Sequence, residues 1–109
     1  MAQDAKSIFC TRLKAARKAK NLSQEKLGIL IELDEFVAST RINRYEQGVH
    51  AVEPNTAQRL AQVLDVPLAY FYAETDDLAD LIKSYSQLNQ QQKDQLLQSI
   101  ELINKTRNA

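Results

Sequence analysis

Cysteine occurs once in the 109 residues, as Cys10, so no disulfide can close within the chain. A single thiol without bridges is the pattern of an intracellular protein, and a cytoplasmic location is expected. Glycine and proline occur only twice each. So few breakers, set among abundant Ala, Leu, Lys, Glu and Gln, point to an all-α protein. Apolar runs are short as well. Runs such as Ile29-Leu30-Ile31 fall far below the ~20 residues of a membrane span. The opening Met1-Ala2-Gln3-Asp4-Ala5-Lys6 lacks the apolar stretch of a secretory leader, so neither leader nor membrane is expected.

Catalytic and metal-binding patterns are missing too. His50 is the only histidine, with no Cys or His partner at ligand spacing, which argues against a metal. Cys10 has no adjacent base and reads as a packing residue. There is no Ser/His/Asp set, glycine-rich phosphate loop or carboxylate pair, so neither an enzyme nor a cofactor is expected.

Net charge is zero, from 14 basic and 14 acidic residues. Its distribution is uneven. Residues 1–50 carry nine Lys/Arg against six Asp/Glu, and residues 51–109 carry five against eight. A basic half joined to an acidic half fits a polyanion-facing surface with the remainder turned away; a solvated helix face gives a similar imbalance.

Apolar spacing divides the chain into helices. Ser7 can cap a first helix running to Lys20, with Phe9, Leu13 and Ala16 on one face and Asn21 as the left-handed residue that ends it. Ser23 caps a second, with Leu27, Leu30 and Ile31 as its stripe. Asp34 caps a third, which runs to Tyr45-Glu46 and stops at Gly48. A fourth follows Pro54 and buries Ala57, Leu60, Ala61 and Leu64. Pro67 opens a short fifth through Tyr72. Beyond Glu74-Thr75-Asp76-Asp77, two further stripes appear: Leu78, Leu81, Ile82 and Tyr85, then, after a cap at Asn89, Leu96, Leu97, Ile100 and Ile103. This predicts a helical domain over residues 1–73 and a C-terminal helical hairpin over 74–109.

The segment from Arg12 to Tyr72 resembles the Cro/repressor type of helix-turn-helix domain, the XRE-like family. The residues that carry the likeness are Arg12-Leu13-Lys14, Arg17, Leu22-Ser23-Gln24-Glu25, Leu27-Gly28, Ile42-Asn43-Arg44-Tyr45-Glu46-Gln47-Gly48, Leu60-Ala61 and Leu64-Asp65-Val66. The resemblance implies a five-helix repressor-like domain whose third helix enters the major groove of double-stranded DNA. It implies a phosphate contact and a steadying role for Gln24, beside Ser23 at the N-terminus of helix 2, where free N–H groups favour an anion. It also implies an ion pair between Arg17 and Glu46 that ties helix 1 to the end of helix 3. Gly28 stands where the family usually has Ala, at a point where helix 3 passes close by.

Helix 3 departs from the family pattern. The distance from Asp34 to the Tyr45-Glu46 pair is about four residues longer than usual, close to one turn of 3.6 residues, and no Gly stands in the turn Glu32-Leu33-Asp34. A lengthened helix, not a loop insertion, is expected, because acidic residues suit a helix start. Ala38, Ile42 and Tyr45 then face inward, while Phe36, Ser39, Thr40, Asn43 and Arg44 face out. Counted back from Tyr45-Glu46, the reading positions are Ser39, Thr40 and Arg44. Counted forward from the cap, they are Glu35, Phe36 and Ser39. In the first register Arg44 can grip guanine O6 and N7, Asn43 can read adenine, and Ser39 and Thr40 are permissive. Arg41 lies at the flank, suited to a phosphate or to Glu32. Asn55 either meets a phosphate or caps helix 4.

One such module reads a short half-site, and specific binding generally uses two copies. The C-terminal stripes have no evident place on a complete five-helix domain. A homodimer is therefore expected, formed by Leu68, Tyr70 and Tyr72 with Leu78, Leu81, Ile82, Leu97 and Ile100. The function expected is that of a sequence-specific transcription regulator, a repressor, that binds a DNA operator. The competing expectation is an antitoxin-like module in which the C-terminal helices hold a protein partner; a hairpin folded back on a monomer is the other alternative.

Overall fold

Helix caps set the boundaries of most elements. In a computed structural model, which describes residues 4–108, six α-helices and one 3₁₀ helix follow one another with no strand among the described residues. The expectation about a leader at Met1-Ala2-Gln3 lies outside the described residues.

The first helix, α1 (Ala5–Ala19), is capped by Asp4, whose Oδ1 accepts from the Ser7 amide at 2.8 Å. The cap is thus three residues earlier than the Ser7 expected. Ser7 instead donates its amide, and its carbonyl accepts from Thr11. Asn21 has the left-handed φ of 56° that ends the helix. Helix α2 (Gln24–Leu30) starts at Ser23, whose Oγ accepts from the Lys26 amide at 3.0 Å. Its buried stripe is Leu27 and, at the C-cap, Ile31; Leu30, expected beside them, is 43% exposed. Helix α3 (Glu35–Gln47) is capped by Asp34 and closed by Gly48 at φ 75°. Helix α4 (Pro54–Leu64) is capped by Glu53, which accepts from the Asn55 amide, so the capping role considered for Asn55 belongs to Glu53.

Leu68–Tyr72 is a 3₁₀ helix, not an α-helix, and Pro67 is its cap. Helix α5 (Asp76–Ser86) follows Thr75, and α6 (Gln90–Arg107) opens on a reciprocal capping box between Asn89 and Gln92.

Leu13, Leu27, Ile31, Ile42, Leu60, Leu64 and Phe71 are the largest fully buried side chains. Each withdraws apolar surface worth about 1.5–3 kcal/mol. The Phe9 and Phe71 rings meet at 4.8 Å between centroids. Helix α5 is tied to this core. Arg12, buried on α1, donates from Nε to the Ala73 carbonyl at 3.1 Å and from its guanidinium to Asp76 at 2.8 Å. Ala79 is buried and Ile82 packs against the same cluster. Helix α6, by contrast, buries no residue. No described helix is long and apolar enough to cross a membrane.

Candidate nucleic-acid interface

Helices α2 and α3, with the turn Ile31–Asp34 between them, form the candidate surface. The turn closes by backbone bonds from Glu32 N–H to the Ile29 carbonyl and from Leu33 N–H to the Gly28 carbonyl, both 2.9 Å. Glu32 takes a φ of 70° there, at a position better suited to glycine. Helix α3 then runs for 13 residues from its cap at Asp34. The four extra residues are therefore helical, as a lengthened helix requires.

Ala38 and Ile42 are fully buried and Tyr45 nearly so, which fixes the rotation of α3. Phe36, Ser39, Thr40, Asn43 and Arg44 are all exposed on its other side. Gly28 makes this close crossing possible: a methyl built on it would lie 2.6 Å from the Ala38 Cβ.

A polar network locks the three helices together. The Arg17 guanidinium donates to both oxygens of Glu46, at 2.6 and 3.1 Å, and to the Leu22 carbonyl at 2.9 Å. The Glu46 side chain is 1% exposed. The Gln24 amide nitrogen donates to Glu46 Oε1 and to Asn43 Oδ1, each at 3.1 Å. Both of its N–H groups are thus engaged. A phosphate at this end would meet the free backbone N–H groups of the first turn, while the Gln24 side chain orients Asn43. With Oδ1 accepting from Gln24, Asn43 keeps its own amide N–H groups as donors.

At the other end of α3, the Arg44 guanidinium lies 3.4 Å from His50 Nε2. Sequence reasoning missed this neighbour. The signal available was Gly48, whose left-handed turn sends the following residues back past the last turn of the helix. Ser23 keeps an exposed hydroxyl although its oxygen serves as the cap. The ion pairs among the described residues join Arg12 to Asp76, Arg17 to Glu46 and Lys20 to Asp65; Arg41 is exposed and makes none with Glu32. Asn55 is exposed on the first turn of α4. Cys10 donates its thiol to the Tyr45 carbonyl at 3.2 Å, and burial pushes its pKa up, which keeps it protonated.

The residues expected at an interface between copies separate into groups. Leu81, Ile82, Leu97 and Ile100 come together with Pro67, Tyr85 and Leu96 around one apolar groove. Leu68 and Leu78 are each about two-fifths exposed. Tyr72 lines a different hollow, beside Ala5, Lys6 and His50. Tyr70 faces the core at 7% exposure, with Phe71 at 6.1 Å between ring centroids, so its ring is not free for another chain.

This arrangement matches known proteins. A family model described as helix-turn-helix covers residues 13–71. Two uncharacterised HTH-type transcriptional regulators, from Sinorhizobium medicae and Rhizobium meliloti, are each 30% identical over 64 residues, 59% of this chain. The matched stretch is 43% of each of those relatives, so this chain spans less than half the length of the curated relatives it matches. The crystal structure of the transcriptional regulator BswR is similar at a TM-score of 0.82 and 46% identity, covering 85% of this chain and 92% of that one.

Proposed function

Because this chain belongs to the helix-turn-helix family of XRE-like, sequence-specific DNA-binding transcription regulators, we propose that it acts as a homodimeric repressor, reading an operator through the major groove with α3. In this reading residues 1–73 are the DNA-binding unit. Ser39, Thr40, Asn43 and Arg44 meet base edges, with Arg44 paired to a guanine. Ser23, Gln24, Arg41 and Asn55 lie along the phosphates, through backbone N–H groups or side-chain donors.

The observation that carries the reading is the division of α3. One side is clamped to the globule by Ala38, Ile42, Tyr45 and the Glu46 ion pair, and the other presents exposed polar side chains, of which Asn43 is oriented by Gln24. A rigid helix held in this way loses little freedom on entering a groove.

Residues 74–109 are proposed as the dimerisation element. What supports this is the exposed apolar face of α5 and α6, with Leu81, Leu97 and Ile100 each 39–51% exposed on one groove. A second copy would cover it and place two α3 helices about 34 Å apart on half-sites one DNA turn apart. Tyr70 is not part of that surface.

Two measurements test the proposal. Selection from a random duplex pool is expected to return a two-fold symmetric site. Sedimentation at tens of micromolar is expected to return the mass of two chains. A monomer mass would reject the dimer, and a stoichiometric foreign protein on α6 would favour a protein-binding role instead.

A further inference from the structure

We infer that Phe36, on the extra turn of α3, is a specificity-determining residue that packs against the C5 methyl of a thymine. The inference rests on the DNA-reading role proposed for α3 and adds a base position to it.

Phe36 is 88% exposed, more than any other large apolar side chain of the described residues. Its backbone is held in place, since its amide donates to the capping Asp34 at 2.9 Å. Its direction follows from helix geometry. Phe36, Thr40 and Arg44 stand at i, i+4 and i+8, each about 40° round from the last. They form one ridge, opposite the buried Ala38, Ile42 and Tyr45. At about 1.5 Å per residue the ridge is about 12 Å long, or three to four base-pair steps of about 3.4 Å. The lengthened first turn therefore extends the reading ridge beyond Thr40 by one turn, and the residue it adds is a phenyl ring.

The chemistry of the surroundings narrows what that ring can meet. Glu32, Asp34 and Glu35 are exposed beside it. Three carboxylates make a phosphate an unfavourable neighbour for this turn, which leaves the floor of the groove. There the thymine C5 methyl is the one apolar group that a base pair presents, and an aromatic side chain is among its known partners. Val37, 42% exposed on the next position, widens the same apolar tip.

The test uses the full chain and the duplex it selects from a random pool. Each thymine is replaced in turn by deoxyuridine, which removes only the methyl, and affinity is read by fluorescence anisotropy. One thymine beyond the bases paired with Arg44 is expected to weaken wild-type binding about fourfold when replaced, the equivalent of about 0.8 kcal/mol for one apolar carbon at tenfold per 1.4 kcal/mol. The Phe36→Ala protein is expected to bind the unmodified duplex more weakly by at least that factor and to be insensitive to that replacement. Arg44→Ala is expected to keep the sensitivity. Circular dichroism checks that Phe36→Ala retains its helices, as so exposed a position should allow.

Several results overturn the inference. A selected site in which no thymine shows a Phe36-dependent effect does so while leaving the DNA-reading role of α3 intact. Loss of affinity in Phe36→Ala accompanied by a fall in sedimentation mass assigns the ring to a protein contact. Failure of the wild type to select any duplex removes the inference together with the function on which it stands.

Discussion

Gly28 leaves no room for a side chain against Ala38 where α2 crosses α3: a methyl added to Gly28 would lie 2.6 Å from the Ala38 Cβ and 2.9 Å from its Cα and carbonyl oxygen. Helix propensity alone favours alanine over glycine by about 1 kcal/mol. Overpacking a closed contact costs about 1–3 kcal/mol, and here the obstruction is backbone, not a flexible side-chain end. Gly28→Ala is therefore expected to lower stability in urea unfolding, against the trend of its propensity. A gain in stability would show that the crossing is looser than the structure has it.

Arg17 and Glu46 supply a second prediction. The Glu46 carboxylate has almost no solvent, and Arg17 satisfies both of its oxygens. Removing one partner of such a pair leaves an unpaired buried charge and costs about 3 kcal/mol, whereas replacing both by apolar residues costs much less. Arg17→Met is expected to destabilise strongly, and Arg17→Met with Glu46→Leu to recover most of the loss. Simple additivity of the two single changes would contradict the pairing.

Glu32 occupies the left-handed region at φ 70°. For a residue with a Cβ this costs about 1–2 kcal/mol. Glu32→Gly is expected to raise the midpoint of thermal unfolding by the equivalent of about 1 kcal/mol. No change, or a fall, would show that the turn is not strained.

Two helix starts are expected to respond to acid. The backbone hydrogen bond from Ser7 holds Asp4 below its ordinary value of 3.8, and the Thr75 side chain, with the Leu78 amide, holds Asp77 below the same value. A depressed carboxylate pKa stabilises the folded form above the unfolded value, and that contribution is lost as pH falls through the folded one. The Ser7 and Leu78 amide resonances are expected to titrate below pH 3.8. Titration above it would contradict these hydrogen bonds.

Much of this was legible in the sequence because capping is local chemistry. Ser23, Asp34, Gly48 and Asn89 mark their helix ends as expected. The cap of α1 was misplaced because Asp4 and Ser7 both carry a suitable oxygen, and only the backbone path distinguishes them. Asn55 and Glu53 pose the same ambiguity at α4. Tyr70 was misread for another reason. It was grouped with Leu68 and Tyr72 of the same short helix, and nothing in that composition marks Tyr70 as the one whose ring turns inward. The anchoring of α5 by Arg12 spans more than sixty residues of sequence and leaves no local trace. Residues of α3 sorted correctly into inner and outer faces because Ile42 and Tyr45 share the helical period with Ala38. Which outer residues meet bases depends on DNA, which neither the pattern nor the fold contains.

Binding of the selected duplex by wild type and by Arg44→Ala, measured by anisotropy over a range of salt concentrations, tests the account most directly. Arg44 is exposed, so the variant should fold normally. The expected result is loss of discrimination at one guanine, worth about 1–3 kcal/mol, with residual binding still weakened by salt as phosphate contacts require. Operator affinity within about twofold of wild type, far less than a bidentate guanine contact is worth, would show that the outward side of α3 does not read DNA in this way.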